Sequence, residues 1–171
     1  MRRRTMIRFF AIPVATFVLG LVLGGLWPQT PLHATATDRL DTFIITTGAI
    51  DSELEAVYCL DCLTGDLIAG VLGRQPNRFG AIFHYNVLKD LGVDPTKNPK
   101  FLMVSGIANL QYGGGRVQPA IGKLYVAEVT SGKMVAYALP WDRSAFNAGQ
   151  PIAETLRPMA MMPIRKVVAR P

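Results

Sequence analysis

Cysteine and histidine are scarce in this sequence, and each scarcity removes a class of chemistry. Two cysteines, Cys59 and Cys62, and two histidines, His33 and His84, are the whole supply. A structural zinc site built on the cysteine pair needs two further ligands, and the distant histidines are the only ones on offer. No G-x-S-x-G occurs and His84 has no acid at a telling spacing, so a hydrolase triad has no support. Gly113-Gly-Gly-Arg116 is glycine-rich but lacks the Lys-Ser/Thr of a phosphate-binding loop. Acidic residues are absent from positions 1–36, which hold Arg2, Arg3, Arg4 and Arg8. The net charge of +6 is therefore mostly N-terminal: residues 37–171 carry 14 Lys and Arg against 12 acids, a balance of 14 − 12 = +2. No basic stripe with interleaved aromatics remains, which excludes a nucleic-acid surface.

Charge is also missing from Phe9 to Trp27, immediately behind the arginine cluster. A helix of that length nearly spans the roughly 30 Å hydrocarbon core at about 1.5 Å per residue. Pro13 and the run's glycines are tolerable in lipid. Trp27 falls where an interfacial aromatic belongs, and the arginines should stay cytoplasmic. Residues 1–27 are thus expected to be an anchor in the cytoplasmic membrane, embedded through 9–27, with an extracytoplasmic C-terminal domain. The alternative is a signal segment cleaved after Ala34-Thr35-Ala36, which would leave a secreted or periplasmic protein. The stretch RRRTMIR also resembles a twin-arginine export signal.

Beyond the anchor the chain is β-like. Residues 28–41 read as a Pro/Thr-rich stalk and 42–171 as the domain. Strand-like runs occupy 42–48, 55–61, 66–72, 78–88, 101–106, 123–129 and 133–139. They are mostly short, rich in β-branched and aromatic residues, and bounded by Gly, Pro and Asp. YNVLKDLG suggests two helical turns ended by Gly92. The proline-rich tail, 142–171, offers one further edge strand, Ile164–Ala169.

The halves 42–92 and 100–141 can be laid over each other. Phe43-Ile-Ile-Thr-Thr-Gly48 matches Phe101-Leu-Met-Val-Ser-Gly106, and Tyr58, Asp61, Gly65 and Ala69 match Tyr125, Glu128, Gly132 and Ala136. The expected fold is a small antiparallel β domain of two duplicated three-stranded meanders, the second lengthened in its first loop. In each repeated turn, Gly65 or Gly132 supplies a left-handed conformation. Asp61 with Thr64, and Glu128 with Ser131, supply side-chain caps. These six residues are assigned structural roles.

VYCLDCLTGDL (57–67) resembles the blade motif of pyrroloquinoline-quinone-type β-propellers, and LYVAEVTSGKM (124–134) is a less complete copy. The tryptophan that usually follows in those blades is missing. The chain as a whole resembles membrane-anchored or secreted proteins of planctomycete-type bacteria that combine an anchor with this LTGDL hairpin. The resemblance implies a β architecture and no reaction. Two blades cannot close a propeller, so the meanders must cover each other, form one sheet, or assemble across chains.

Cys59-Leu-Asp-Cys62 lies on a strand entering a turn, where residues three apart point to opposite faces. Two small buried hydrophobes is the favoured reading, and a strained redox disulfide the alternative. His84 reads as a partly buried, satisfied residue, and Asp51, Glu53 and Glu55 as a solvated loop lacking the form of a calcium site. Inserted loops on a rigid scaffold are where binding evolves, so Tyr112, Arg116 and Gln118 are the first candidate ligand surface. Trp141 and Arg143 form a second. The sequence therefore points to a membrane-tethered extracytoplasmic domain that binds or scaffolds a protein partner or itself. No catalytic residue, metal ligand set or cofactor is assigned. The alternatives are an exported redox or cofactor-associated protein, and a propeller-like subunit completed by oligomerisation.

Overall fold

Alternation of apolar and polar residues builds the first sheet. In β2 (Phe43–Ala49) and β3 (Glu55–Asp61), every second side chain is buried. β4 (Asp66–Leu72) and β5 (Phe79–Asn86) continue the antiparallel row. Two strands extend it at the edges. β1 (Thr37–Arg39) pairs with β2, and β9 (Ile152–Thr155) joins β5 in parallel. The second sheet runs in the order β10 (Arg157–Pro163), β8 (Lys133–Trp141), β7 (Gln118–Glu128) and β6 (Phe101–Ile107), all antiparallel. A computed structural model describes residue 20 and residues 37–74, 77–108, 110 and 115–165. The chain divides into units 1–33 and 34–171, and these sheets belong to the second.

The protein is mainly β, as expected, with differences at the margins. Each sheet exceeds three strands. Residues 37–39, expected in the stalk, pair with β2 and bring the Thr37 and Thr46 hydroxyls to 2.9 Å. The tail is not a separate appendage: β9 joins the first sheet and β10 the second, with Leu156 buried between them. A tail strand lies at 157–163; of the expected strand 164–169 only residues 164 and 165 are described, and they are not in a strand. Pro158 and Pro163 are accommodated because β10 is an edge strand, where a missing N–H breaks no interior ladder. β7 begins at Gln118, with a register shift between Pro119 and Lys123, so the end of the expected longer loop, residues 118–122, is strand. Residues 1–19 and 21–36, which hold the expected anchor, lie outside the described residues. Among the described residues no helix is long and apolar enough to cross a membrane.

Both sheets contribute to one core. Ile44, Tyr58, Leu60 and Phe83 come from the first, and Phe101, Met103, Val126 and Tyr137 from the second. Each such side chain is worth about 1.5–3 kcal/mol of burial. The one-turn helix α1 (Leu88–Leu91) packs against β8 and ends at Gly92, where the chain turns left-handed (φ 64°). Tyr137 in β8 donates a 3.1 Å hydrogen bond to Asp90 of α1, and its ring lies 5.2 Å from that of Tyr85. Burial raises the pKa of both tyrosines, and the Asp90 carboxylate adds to the effect; Tyr85 is pushed up to about 12. A second short helix, α2 (Arg143–Asn147), is capped by Asp142 and seals one end with Phe146.

β2 meets the second sheet at two glycines: a Cβ at Gly122 of β7 would overlap the Ala49 carbonyl oxygen, beside the 3.0 Å bond from the Ile121 amide to the Ile50 carbonyl, and Gly48 lies against β6. A Cβ at Gly48 would stand 2.9 Å from the Cβ of Ser105 and 3.1 Å from the ring of Tyr58. Ser105 Oγ donates to the carbonyl of Thr47 at the same point. Gly106, which falls opposite Gly48 when 101–106 is laid over 43–48, meets nothing nearer than the Tyr125 ring at 3.5 Å. Gly48→Val should therefore cost about 1–3 kcal/mol, the usual range for overpacking. Gly106→Val should be nearly neutral. Thermal unfolding of dilute protein checks the contrast, and equal losses at both positions would contradict it.

Candidate functional site

The two repeated turns are built by the same bonds. Asp61 Oδ1 accepts the amides of Leu63 (2.8 Å) and Thr64 (3.4 Å), while Gly65, at φ 73°, donates to the Asp61 carbonyl at 2.8 Å. Thr64 Oγ1 accepts from the Asp66 amide at 3.2 Å. In the second turn Glu128 accepts the amides of Thr130 (2.9 Å), Ser131 (2.5 Å) and Lys100 (3.1 Å). Gly132, at φ 65°, donates to the Glu128 carbonyl at 3.0 Å. Each glycine carbonyl then receives the amide of a later segment: Val87 at Gly65 (3.0 Å) and Ile164 at Gly132 (2.7 Å). The longer Glu128 side chain reaches one amide more than Asp61 does, and it is fully buried.

The residues expected to form two ligand surfaces converge on one end of the domain. Gln118 and Trp141 are register partners across β7 and β8. Gln118 Nε2 also donates to the Gly115 carbonyl at 2.9 Å. Arg116 pairs with Asp142 at 2.8 Å. Arg143 reaches Glu53 at 3.3 Å and Asp51 at 3.8 Å, drawing in the acidic loop. Asp142 also caps α2 through the Ala145 amide (2.9 Å); that bond, together with Arg116, lowers its pKa. Trp141 is not an exposed anchor. It is buried, its ring 4.8 Å from that of Phe146, because β8 runs two residues beyond the expected strand and carries it into the core. Trp141 Nε1 and Asp51 Oδ2 are the two buried side-chain polar atoms without a hydrogen-bond partner among the described residues. Asp51 Oδ1 holds the loop by accepting the amides of Glu53 and Leu54. Tyr112 lies outside the described residues.

The geometry gives no support to a redox pair at the cysteines. Both are free; Cys62 is buried in the turn, while Cys59 is half-buried on the outer face of the first sheet. Burial raises the thiol pKa of each, with the Asp61 carboxylate adding to it, so neither is an activated thiolate. His84 is exposed on that same outer face, rather than partly buried as expected, because its register partner Ile68 also points away from the core. Among the described residues no cluster of three or more His, Cys, Asp or Glu could hold a metal ion. A cleft of about 210 Å³ lies beside Phe146. Pockets for small molecules usually enclose at least about 300 Å³; this one is smaller, and a hollow of about 340 Å³ over Ile68 and His84 lies open on the outer face of the first sheet.

The largest unexplained features are the sheet faces turned away from the core. The first exposes Phe43, Ile45, Ile68 and Ile82. The second exposes Leu102 and Val104, which flank half-buried Tyr125 and Met134. Sequence reasoning misses these faces because apolar residues at both parities of a strand also describe a strand buried on both sides. It misses Lys123 as well. Lys123 is buried with its ammonium directed at the carbonyls of Ala108 (3.5 Å), Ile121 (3.3 Å) and Ala120, and burial lowers its pKa. Nothing in its surroundings in the sequence signals that.

Comparison with known proteins finds no matching family model, no matching curated protein and no matching solved structure.

Glu128 makes the turn chemistry measurable. Burial alone would raise its pKa, but the amides of Ser131, Thr130 and Lys100 outweigh it and hold the value at about 2, against 4.5 unperturbed. A depressed carboxyl stabilises the fold fully above the unfolded value. That contribution fades as the pH falls from about 4.5 towards 2. Glu128→Gln should cost about 1–3 kcal/mol at neutral pH by setting an amide group against backbone donors. It should also flatten the loss of stability across that acid range. Denaturant titrations at several pH values test this; an unchanged acid slope would sink it.

Proposed function

We propose that the chain is a membrane-tethered, extracytoplasmic scaffold that binds protein through its outer sheet faces and performs no catalysis. One observation carries the reading: apolar side chains are exposed on the outer faces of both sheets, beyond what scattered surface residues require. The polar cluster at the end of the domain is self-paired in most of its contacts, through Arg116 with Asp142 and Arg143 with Asp51 and Glu53. It suits rigidifying the scaffold better than recognising a ligand. The uncharged run behind the N-terminal arginines supports tethering to the cytoplasmic membrane with the domain outside it. Within this reading the sheets are two copies of one antiparallel unit, like neighbouring blades. The paired turns support that, since both use an acid cap, a left-handed glycine and a glycine carbonyl that binds a later amide.

A photo-crosslinking side chain placed at Ile68 or at Val104 in the full chain, in its native membranes, tests the scaffold role. Adducts to protein are expected from both positions and should disappear when Ile45→Asp or Leu102→Asp is added on the same face. Ile45 and Leu102 are both exposed. Surface changes of this kind are expected to alter stability by no more than about 0.5 kcal/mol. The absence of protein adducts from either face would overturn the reading.

A further inference from the structure

The two sheets are related in an unusual way that exposure makes visible. If they were packed as mirror-like halves of a sandwich, equivalent residues of the sequence repeat would both face inward. They do the opposite. Ile44 is 1% exposed and its counterpart Leu102 is 51% exposed. Ile45 is 46% exposed and its counterpart Met103 is 2% exposed. The inversion recurs in the neighbouring strands, where Tyr58 and Ala69 are buried against half-buried Tyr125 and Ala136 and Ile68 is exposed against buried Val135, while the pairs Leu60–Ala127 and Val71–Ala138 are buried in both. The core is therefore one face of the first sheet laid on the opposite face of the second. Such a contact is head-to-tail and does not close on itself.

Each chain is then left with one unused member of each face. The first sheet offers the face that the second buries, and the second sheet offers the face that the first buries. The seat for a further contact is already shaped. Inside the chain, Ser105 sits over Gly48, beside the Tyr58 ring. On the outer face of the second sheet Gly106 lies beside the Tyr125 ring in the same way, with no other side chain within 4 Å among the described residues. The counterpart of Ser105 is Thr47, at the outer-face parity of β2 and likewise hydroxyl-bearing.

We propose that the partner of these faces is a second copy of this chain, stacked so that Thr47 of one copy seats on Gly106 and Tyr125 of the next. The contact repeats the internal one, and successive copies build a closed ring or an open row. This inference rests on the scaffold reading above and supplies its partner. It also accounts for the apolar character of both outer faces, which a single chain cannot cover.

Disulfide trapping in the full-length chain tests it, with Cys59→Ser removing the half-exposed thiol. One chain carries Thr47→Cys and another Gly106→Cys. The internal counterparts, Gly48 and Ser105, bring their Cβ positions to 2.9 Å, so the equivalent pair between copies comes within reach of a disulfide after a separation of about 1 Å. Under mild oxidation the mixture should give a covalent dimer that neither chain forms alone, and a chain with both changes should give a ladder. Gly106→Val, which leaves the fold intact but fills the seat, should abolish association of the wild-type chain in native mass spectrometry. The proposal is overturned if Thr47→Cys or Gly106→Cys chains dimerise alone, since like faces would then be meeting. It is equally overturned if the mixture stays monomeric and the wild-type chain is monomeric up to about 100 μM, where even modest affinities register. Adducts from Ile68 and Val104 to a different protein in that second case would preserve the scaffold reading; no adducts at all would remove both.

Discussion

The approach of β2 to the second sheet, at Gly48 against β6 and at Ala49 against Gly122 of β7, sets the geometry of the whole domain. Only a residue without a side chain lets the strands come within contact of Ser105 and the Tyr58 ring. On the side away from that line, α1, Tyr137 and Phe146 fill the space between the sheets. The two sheets therefore share a core that takes opposite strand parities of Phe43–Gly48 and Phe101–Gly106. That arrangement covers one face of each sheet, exposes the other, and decides where the chain is left with apolar surface.

The turns make this arrangement rigid where it would otherwise fray. Asp61 and Glu128 each tie off a loop from within, and the glycine that closes each loop passes its carbonyl on to Val87 or Ile164. The end of one hairpin is thereby fastened to a later segment, α1 in the first sheet and the tail beyond β10 in the second. Glu128 adds the amide of Lys100, which fixes the entry into β6 and hence the line along which β6 meets β2. The polar cluster around Arg143 and Asp142 holds the opposite end. Arg143 joins α2 to the loop after β2 through Asp51 and Glu53, ion pairs whose exposed arginine keeps them individually modest.

Much of this was legible in the sequence because it depends on local chemistry. The strands from β2 to β8 arise from alternation and turn residues, and α1 with its Gly92 stop arises from capping. The acid, hydroxyl and glycine roles in the turns are local too. What escaped depends on partners distant in the chain. β1 and β9 are short and exposed, and become strands only because β2 and β5 present unpaired edges. β10 carries prolines that argue against a strand until its edge position is known. Trp141 reads as a surface anchor from its neighbours and is buried because β8 carries it into the core, where Phe146 packs against it. The inversion of faces between equivalent strands is the clearest case. Phe43–Gly48 and Phe101–Gly106 have nearly the same pattern, and no property of either segment says which parity will be covered.

Native mass spectrometry of the full-length chain in mild detergent tests the head-to-tail stacking of copies most directly. Assemblies of two or more copies are expected, of mass equal to whole multiples of the chain and without an added small molecule. A strictly monomeric chain, or one carrying the mass of a bound cofactor, would contradict it.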